Sequence, residues 1–99
     1  MSDPISGSPY IIICATRTAV AAENDPIKKI VAVSKGACDL AWFMQSYYKH
    51  FQPVDLHPIS VIQHQLMDHI TGVHPLTPEE ITTKIDGLFA EMDSLEDKY

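Results

Sequence analysis

Tyr10-Ile11-Ile12-Ile13-Cys14-Ala15-Thr16-Arg17-Thr18-Ala19-Val20-Ala21-Ala22 is the stretch on which the fold turns. Its first half is β-branched and aromatic, the composition of a buried strand. Its second half is rich in alanine, the strongest helix former. Ser8-Pro9 stands immediately before it. Proline suits the first helical position, because that N–H has no intrahelical acceptor in any case. No other stretch of the chain reads as a strand, so a strand at 10–16 would have to pair with its own copy in a second molecule. The reading is a helix, and with it an all-α fold, a small four-helix bundle. The alternative is α+β, with a strand at 10–16 paired across a dimer.

Working outward, the residue-plus-proline signature recurs at Asp25-Pro26, His57-Pro58 and Thr77-Pro78. Aspartate and threonine accept bonds from the orphan N–H groups of a first turn. His57 is a weaker cap, and Asp55 is placed to share its role. Thr77-Pro78-Glu79-Glu80 is a capping box, with Glu80 spaced to reach back to the Thr77 backbone. Ile81, Ile85, Leu88, Met92 and Leu95 follow at helical spacing, widened by Phe89. Gly87 within that helix would admit a close neighbour.

A second apolar face runs through Ile27, Ile30, Val31, Ser34, Ala37, Cys38, Ala41, Met44, Tyr48 and Phe51. It is long for a globular helix, and Ser34-Lys35-Gly36 is a place where it could bend or break. Ile59, Ile62, Leu66 and Ile70 form a third stripe, which Gly72 ends. The expected helices span 9–23, 26–50, 58–71 and 77–95. Residues 1–8 form a flexible lead, and 9–99 form one helical domain. Tyr10–Ala19 is similar to the first strand of thiolases, but nothing beyond it matches, so no family is assigned.

The chain has 99 residues and a formal net charge of −6. The charge is unevenly placed. Residues 1–50 sum to +1, whereas residues 51–99 carry Lys84 and Lys98 against nine acids and sum to −7. Such a surface repels a phosphate backbone, so direct nucleic-acid binding is not expected, while a basic protein partner is. Two cysteines, Cys14 and Cys38, are too few for a disulfide scaffold. Tyr10–Ala15 is too short and too poorly flanked to cross a membrane or to be a signal peptide. These features suggest a cytoplasmic protein without membrane attachment.

His57, His64, His69 and His74 are the weak metal candidates, with His50 further off. Histidines one turn apart aim at one ion, but His64 and His69 are five residues apart and His57 and His64 are seven apart. His69 near a helix end suits the helix dipole, and His64 and Asp68 are spaced to pair. Gln65 and His69 flank the third stripe as polar groups at a seam. No phosphate loop, zinc motif or nucleophile elbow is present. Asp39 beside Cys38 works against a reactive thiolate there. No cofactor is expected, and the enzyme reading is set aside.

Aromatic residues and acids carry the functional expectation. A helix cannot bury Trp42, Phe43, Tyr47 and Tyr48 in one stripe, so some of them must lie on a flank. Aromatic side chains left outside a small bundle are interface candidates. Asp86, Asp93 and Asp97 recur along the last helix, and acids near its C-terminal end oppose the dipole unless a basic partner compensates. The expected function is a non-catalytic protein–protein interaction module, acting as an adaptor, regulator or inhibitor. Trp42, Phe43 and Tyr47 would supply affinity, and Asp86, Asp93 and Asp97 would steer a basic partner. The alternatives are a homo-oligomeric structural protein, such as a homodimer, and a histidine-dependent metal protein or enzyme.

Overall fold

Asp25 and Thr77 cap their helices as their chemistry requires. The Asp25 carboxylate accepts from the Ile27 N–H at 2.9 Å. At Thr77 both halves of the box close: Glu80 N–H donates to Thr77 Oγ1 at 3.1 Å, and Thr77 N–H donates to Glu80 Oε1 at 2.8 Å. The computed structural model describes residues 8–99. It has four helices, α1 (Pro9–Ala22), α2 (Pro26–Tyr47), α3 (His57–Thr71) and α4 (Pro78–Lys98), with a single 3₁₀ turn at Pro53–Leu56 before α3. Among the described residues there is no strand. The expected lead at 1–8 lies outside them except for Ser8.

The decisive stretch is therefore helical, and burial shows why. Its three consecutive isoleucines point in different directions: Ile13 is buried, Ile12 half-buried and Ile11 exposed. Pro9, Ile13, Thr16 and Val20 make the buried face. The four helices alternate in direction and enclose one core, whose largest fully buried side chains include Ile13, Ile30, Leu40, Met44, Leu66, Leu88 and Met92. Most of the bundle's stability comes from this burial, at roughly 25 cal/mol per Å² of apolar surface removed from water.

The helix bounds differ from expectation at several places. Ser34-Lys35-Gly36 does not interrupt α2, because Gly36 is buried against α1. α2 stops at Tyr47, and Phe51 reaches the core from the connection rather than from the helix. Val31 and Cys38, read as part of the apolar face, are exposed. α3 starts without a side-chain cap, because Asp55 faces α4 instead. Ser8 also makes no side-chain cap. Gly72 ends α3 with φ of 81°, the left-handed conformation that favours glycine. α4 continues to Lys98.

Two contacts close the bundle where local sequence gives no hint. Arg17 on α1 pairs with Asp93 on α4 at 2.5 Å, and its guanidinium carbon lies 4.6 Å from the Phe89 ring centre. Lys29 donates to the Val20 carbonyl at 2.9 Å, satisfying an acceptor at the end of α1.

Candidate interaction surface

Trp42 and Phe43 are neighbours on α2, about 100° apart around the axis, and the core takes only one of them. Phe43 faces inward and is 7% exposed, whereas Trp42 is 63% and Tyr47 64% exposed. Phe43 is thus a core residue, and its assignment to a partner-binding flank is corrected. It still supports that flank, since its ring lies 4.8 Å from Tyr47. Trp42 and Tyr47 meet edge to face at 6.2 Å. Two large amphipathic side chains are thereby held in place on the outside of a helix.

The acids divide in the same way. Asp86 and Asp97 are exposed and make no ion pair among the described residues. Asp93 is half-buried and engaged by Arg17. Its compensating cation is intramolecular, so Asp93 is removed from the steering set. The C-terminal turn also holds Lys98, a favourable cation for the dipole.

The aromatic group and Asp97 lie toward one end of the molecule, with Asp86 about 18 Å back along α4. The α2 C-terminus, the α1 N-terminus and the α4 C-terminus converge there. Tyr48 lies 6.0 Å and Phe51 5.2 Å from the Tyr99 ring. Tyr99 O–H donates to Asp55 at 2.5 Å and accepts from Gln52 N–H at 3.0 Å, while Lys98 donates to Asp55 at 2.8 Å. These two bonds hold the Asp55 carboxyl below the usual carboxylate range, Lys98 acting first and Tyr99 second, and Asp55 in turn raises Lys98. Tyr10 reaches the same end from α1. A hydrogen bond with Cys14 pushes its phenol up, and Glu96 adds to the effect.

The histidines do not converge. His57 and His74 are exposed, and His64 is exposed with its Nδ1 3.0 Å from the Ser60 carbonyl oxygen rather than paired with Asp68. His69 Nδ1 accepts from Leu76 N–H at 2.8 Å, so the ring ties the last turn of α3 to the connection leading into α4. Among the described residues, no three His, Cys, Asp or Glu side chains are arranged to hold a metal ion. Cys14 and Cys38 are both free thiols. Among the described residues, no helix is long and apolar enough to cross a membrane.

Sequence reasoning gives Asp55 only a capping role and does not single out Tyr99. Their partners lie more than forty positions away in the chain, beyond any local pattern. No protein-family model, curated protein or solved structure matches this chain.

Proposed function

We propose that this chain is a non-catalytic interaction module, a small acidic adaptor, regulator or inhibitor that docks on a basic protein partner in a reducing, cytoplasmic setting. The observation that carries the reading is the exposure of Trp42 and Tyr47, 63% and 64%, beside a core that already holds Phe43. Tryptophan and tyrosine dominate the energetic centres of protein interfaces, since they bury much area at little entropic cost. Exposed Asp97 and half-exposed Glu96 lie at the same end, and Asp86 extends the negative potential along α4. Charge of one sign around an aromatic anchor favours a partner of opposite sign and speeds encounter.

The test is affinity capture from source-cell lysate at low and at high salt, comparing the wild type with Trp42→Ala and with an Asp86→Asn/Asp97→Asn pair. The expected result is a basic protein that the wild type retains at low salt and releases at high salt. Losing a central aromatic costs about 2 kcal/mol, roughly 30-fold in affinity. Equal retention by wild type and Trp42→Ala would overturn the aromatic anchor. Salt-independent capture would overturn the steering role of the acids.

A further inference from the structure

α1 is apolar nearly all the way round, yet one of its faces lies in solvent. Ile11, Ala15, Thr18, Ala19 and Ala22 recur at i, i+4, i+7, i+8 and i+11, and all five are exposed. A helix without a polar face is ordinarily covered on every side. The face borders an open apolar groove of about 440 Å³ between α1 and α2, with Ile11, Ile12, Ala15, Ala19, Ala32 and Gly36 in its walls. We infer that the occupant of this face is α1 of a second copy of the chain, crossing antiparallel about a two-fold axis at Ala15.

Shape and charge select that occupant. An antiparallel pairing centred on Ala15 sets Ala15 against its own copy and Ile11 against Ala19. The bulky residue of each helix thus meets the small one of the other. Such an isologous contact is complete in two molecules. α1 contains no carboxylate, and its only cation, Arg17, points away to Asp93 of its own chain. Two α1 faces therefore meet without like-charge repulsion. Any approach through α3 and α4 brings one half that sums to −7 against another. The rim of the groove is the ion pair Lys35–Asp39 at 2.9 Å, which is neutral as a unit.

The area sets the strength. Fourteen helical residues span about 21 Å, and a pair of packed helices is roughly 20 Å across. That offers several hundred Å² per partner, the small end of specific interfaces. The dimer is accordingly reversible and concentration-dependent. Its contacts lie on α1 and the Ala32–Asp39 stretch of α2, whereas Trp42 and Tyr47 belong to the last turns of α2.

Sedimentation equilibrium over a range of concentrations tests the inference. The wild type shows a monomer–dimer equilibrium, and Ala19→Glu, an exposed change that leaves helicity by circular dichroism intact, raises the dissociation constant at least ~100-fold by setting unpaired charge in the interface. In a Cys14→Ser/Cys38→Ser background, Ala15→Cys forms a covalent dimer under mild oxidation and the α4 surface variant Ala90→Cys does not. A wild type that stays monomeric at every concentration overturns the inference. So does a dimer that Ala19→Glu leaves intact, or equal cross-linking through Ala90→Cys.

Discussion

Thr16 occupies the space that a side chain at residue 36 would need. A Cβ built on Gly36 falls 2.0 Å from Thr16 Oγ1, 2.3 Å from its Cγ2 and 2.6 Å from its Cβ. Thr16 cannot turn away cheaply, because it is buried and its hydroxyl donates to the Ile12 carbonyl at 2.7 Å. Glycine to alanine within a helix ordinarily stabilises by up to ~1 kcal/mol. Here the sign reverses, and Gly36→Ala costs about 2 kcal/mol or more through forced separation of α1 and α2. In a chain of this length that lowers the melting temperature by roughly 10 °C. Thr16→Ala rescues it only in part, since the Thr16 Cβ itself stands in the way. Thermal unfolding that places Gly36→Ala at or above the wild type would show that the helices separate without cost.

Gly87 provides the opposite case. Its added Cβ would lie 3.7 Å from Ile62 Cδ1, an ordinary contact, and its backbone is helical. Gly87→Ala is therefore expected to stabilise the protein by up to ~1 kcal/mol. Urea midpoints for the two glycine variants should move in opposite directions. Movement of both the same way would contradict the packing described.

The contrast between the two glycines shows what could be read in advance. The capping box at Thr77, the stop at Gly72 and the periodicity of α4 are local patterns, and the structure keeps them all. The sequence reading offered Gly87 as a place for a close neighbour and Gly36 as part of a possible break, whereas Gly36 carries the close approach of α1, because glycine spacing does not reveal what stands opposite. Asp55 looked like a residue sharing the cap of His57 before Pro58, yet its partners come from the far end of α4. Asp93 looked unpaired for the same reason, and Arg17 reaches it from seventy-six positions away. Choosing between Trp42 and Phe43 required the rotation of α2 about its axis. The buried set Ile30, Val33, Ala37, Leu40, Phe43 and Met44 fixes it, whereas the sequence reading ran the apolar face through Val31, Cys38 and Ala41.

The Asp55 latch makes acid stability predictable in sign. A carboxyl whose folded value lies below its unfolded one contributes stability above the unfolded value and loses it as pH falls through the folded value. Asp55 is such a group, held low by Lys98 and then Tyr99, and Glu80 is another, held low chiefly by the Thr77 backbone N–H. Stability is therefore expected to fall as pH drops below the ordinary carboxylate range. Asp55→Asn should flatten part of that slope while lowering stability at neutral pH. Tyr99→Phe, which removes the donor to Asp55 and the acceptor for Gln52 N–H, should weaken the 48–56 connection and raise amide exchange there. An acid unfolding curve with the same slope in Asp55→Asn and wild type would remove Asp55 from the account.

Arg17 joins two modest interactions, and its replacement separates them. The pair with Asp93 is half-exposed on both sides, 49% and 48%, which places its value at the surface scale of ~0.2–1 kcal/mol. The contact with Phe89 adds a similar amount. Arg17→Lys keeps the charge and loses the planar stack, because an ammonium does not lie flat on a ring. Arg17→Lys should therefore lose part of the stability that Arg17→Met loses, and only the Asp93 contribution should fade with added salt. Equal stability of wild type and Arg17→Met at low salt would show that neither contact contributes.

The division between core and surface on α2 can be measured at two adjacent residues. Phe43 is buried among the core side chains, and truncation to alanine removes a whole ring from a packed interior, at a cost of about 3–5 kcal/mol. Trp42 is mostly in solvent and loses only its edge contact with Tyr47, a cost of roughly 0.5–1 kcal/mol. Chemical denaturation should place Trp42→Ala close to wild type and Phe43→Ala far below it. The pair then separates stability from binding, since Trp42→Ala remains folded and any partner it fails to hold is lost at the surface. A Trp42→Ala variant as unstable as Phe43→Ala would mean that the tryptophan belongs to the core and is not available to a partner.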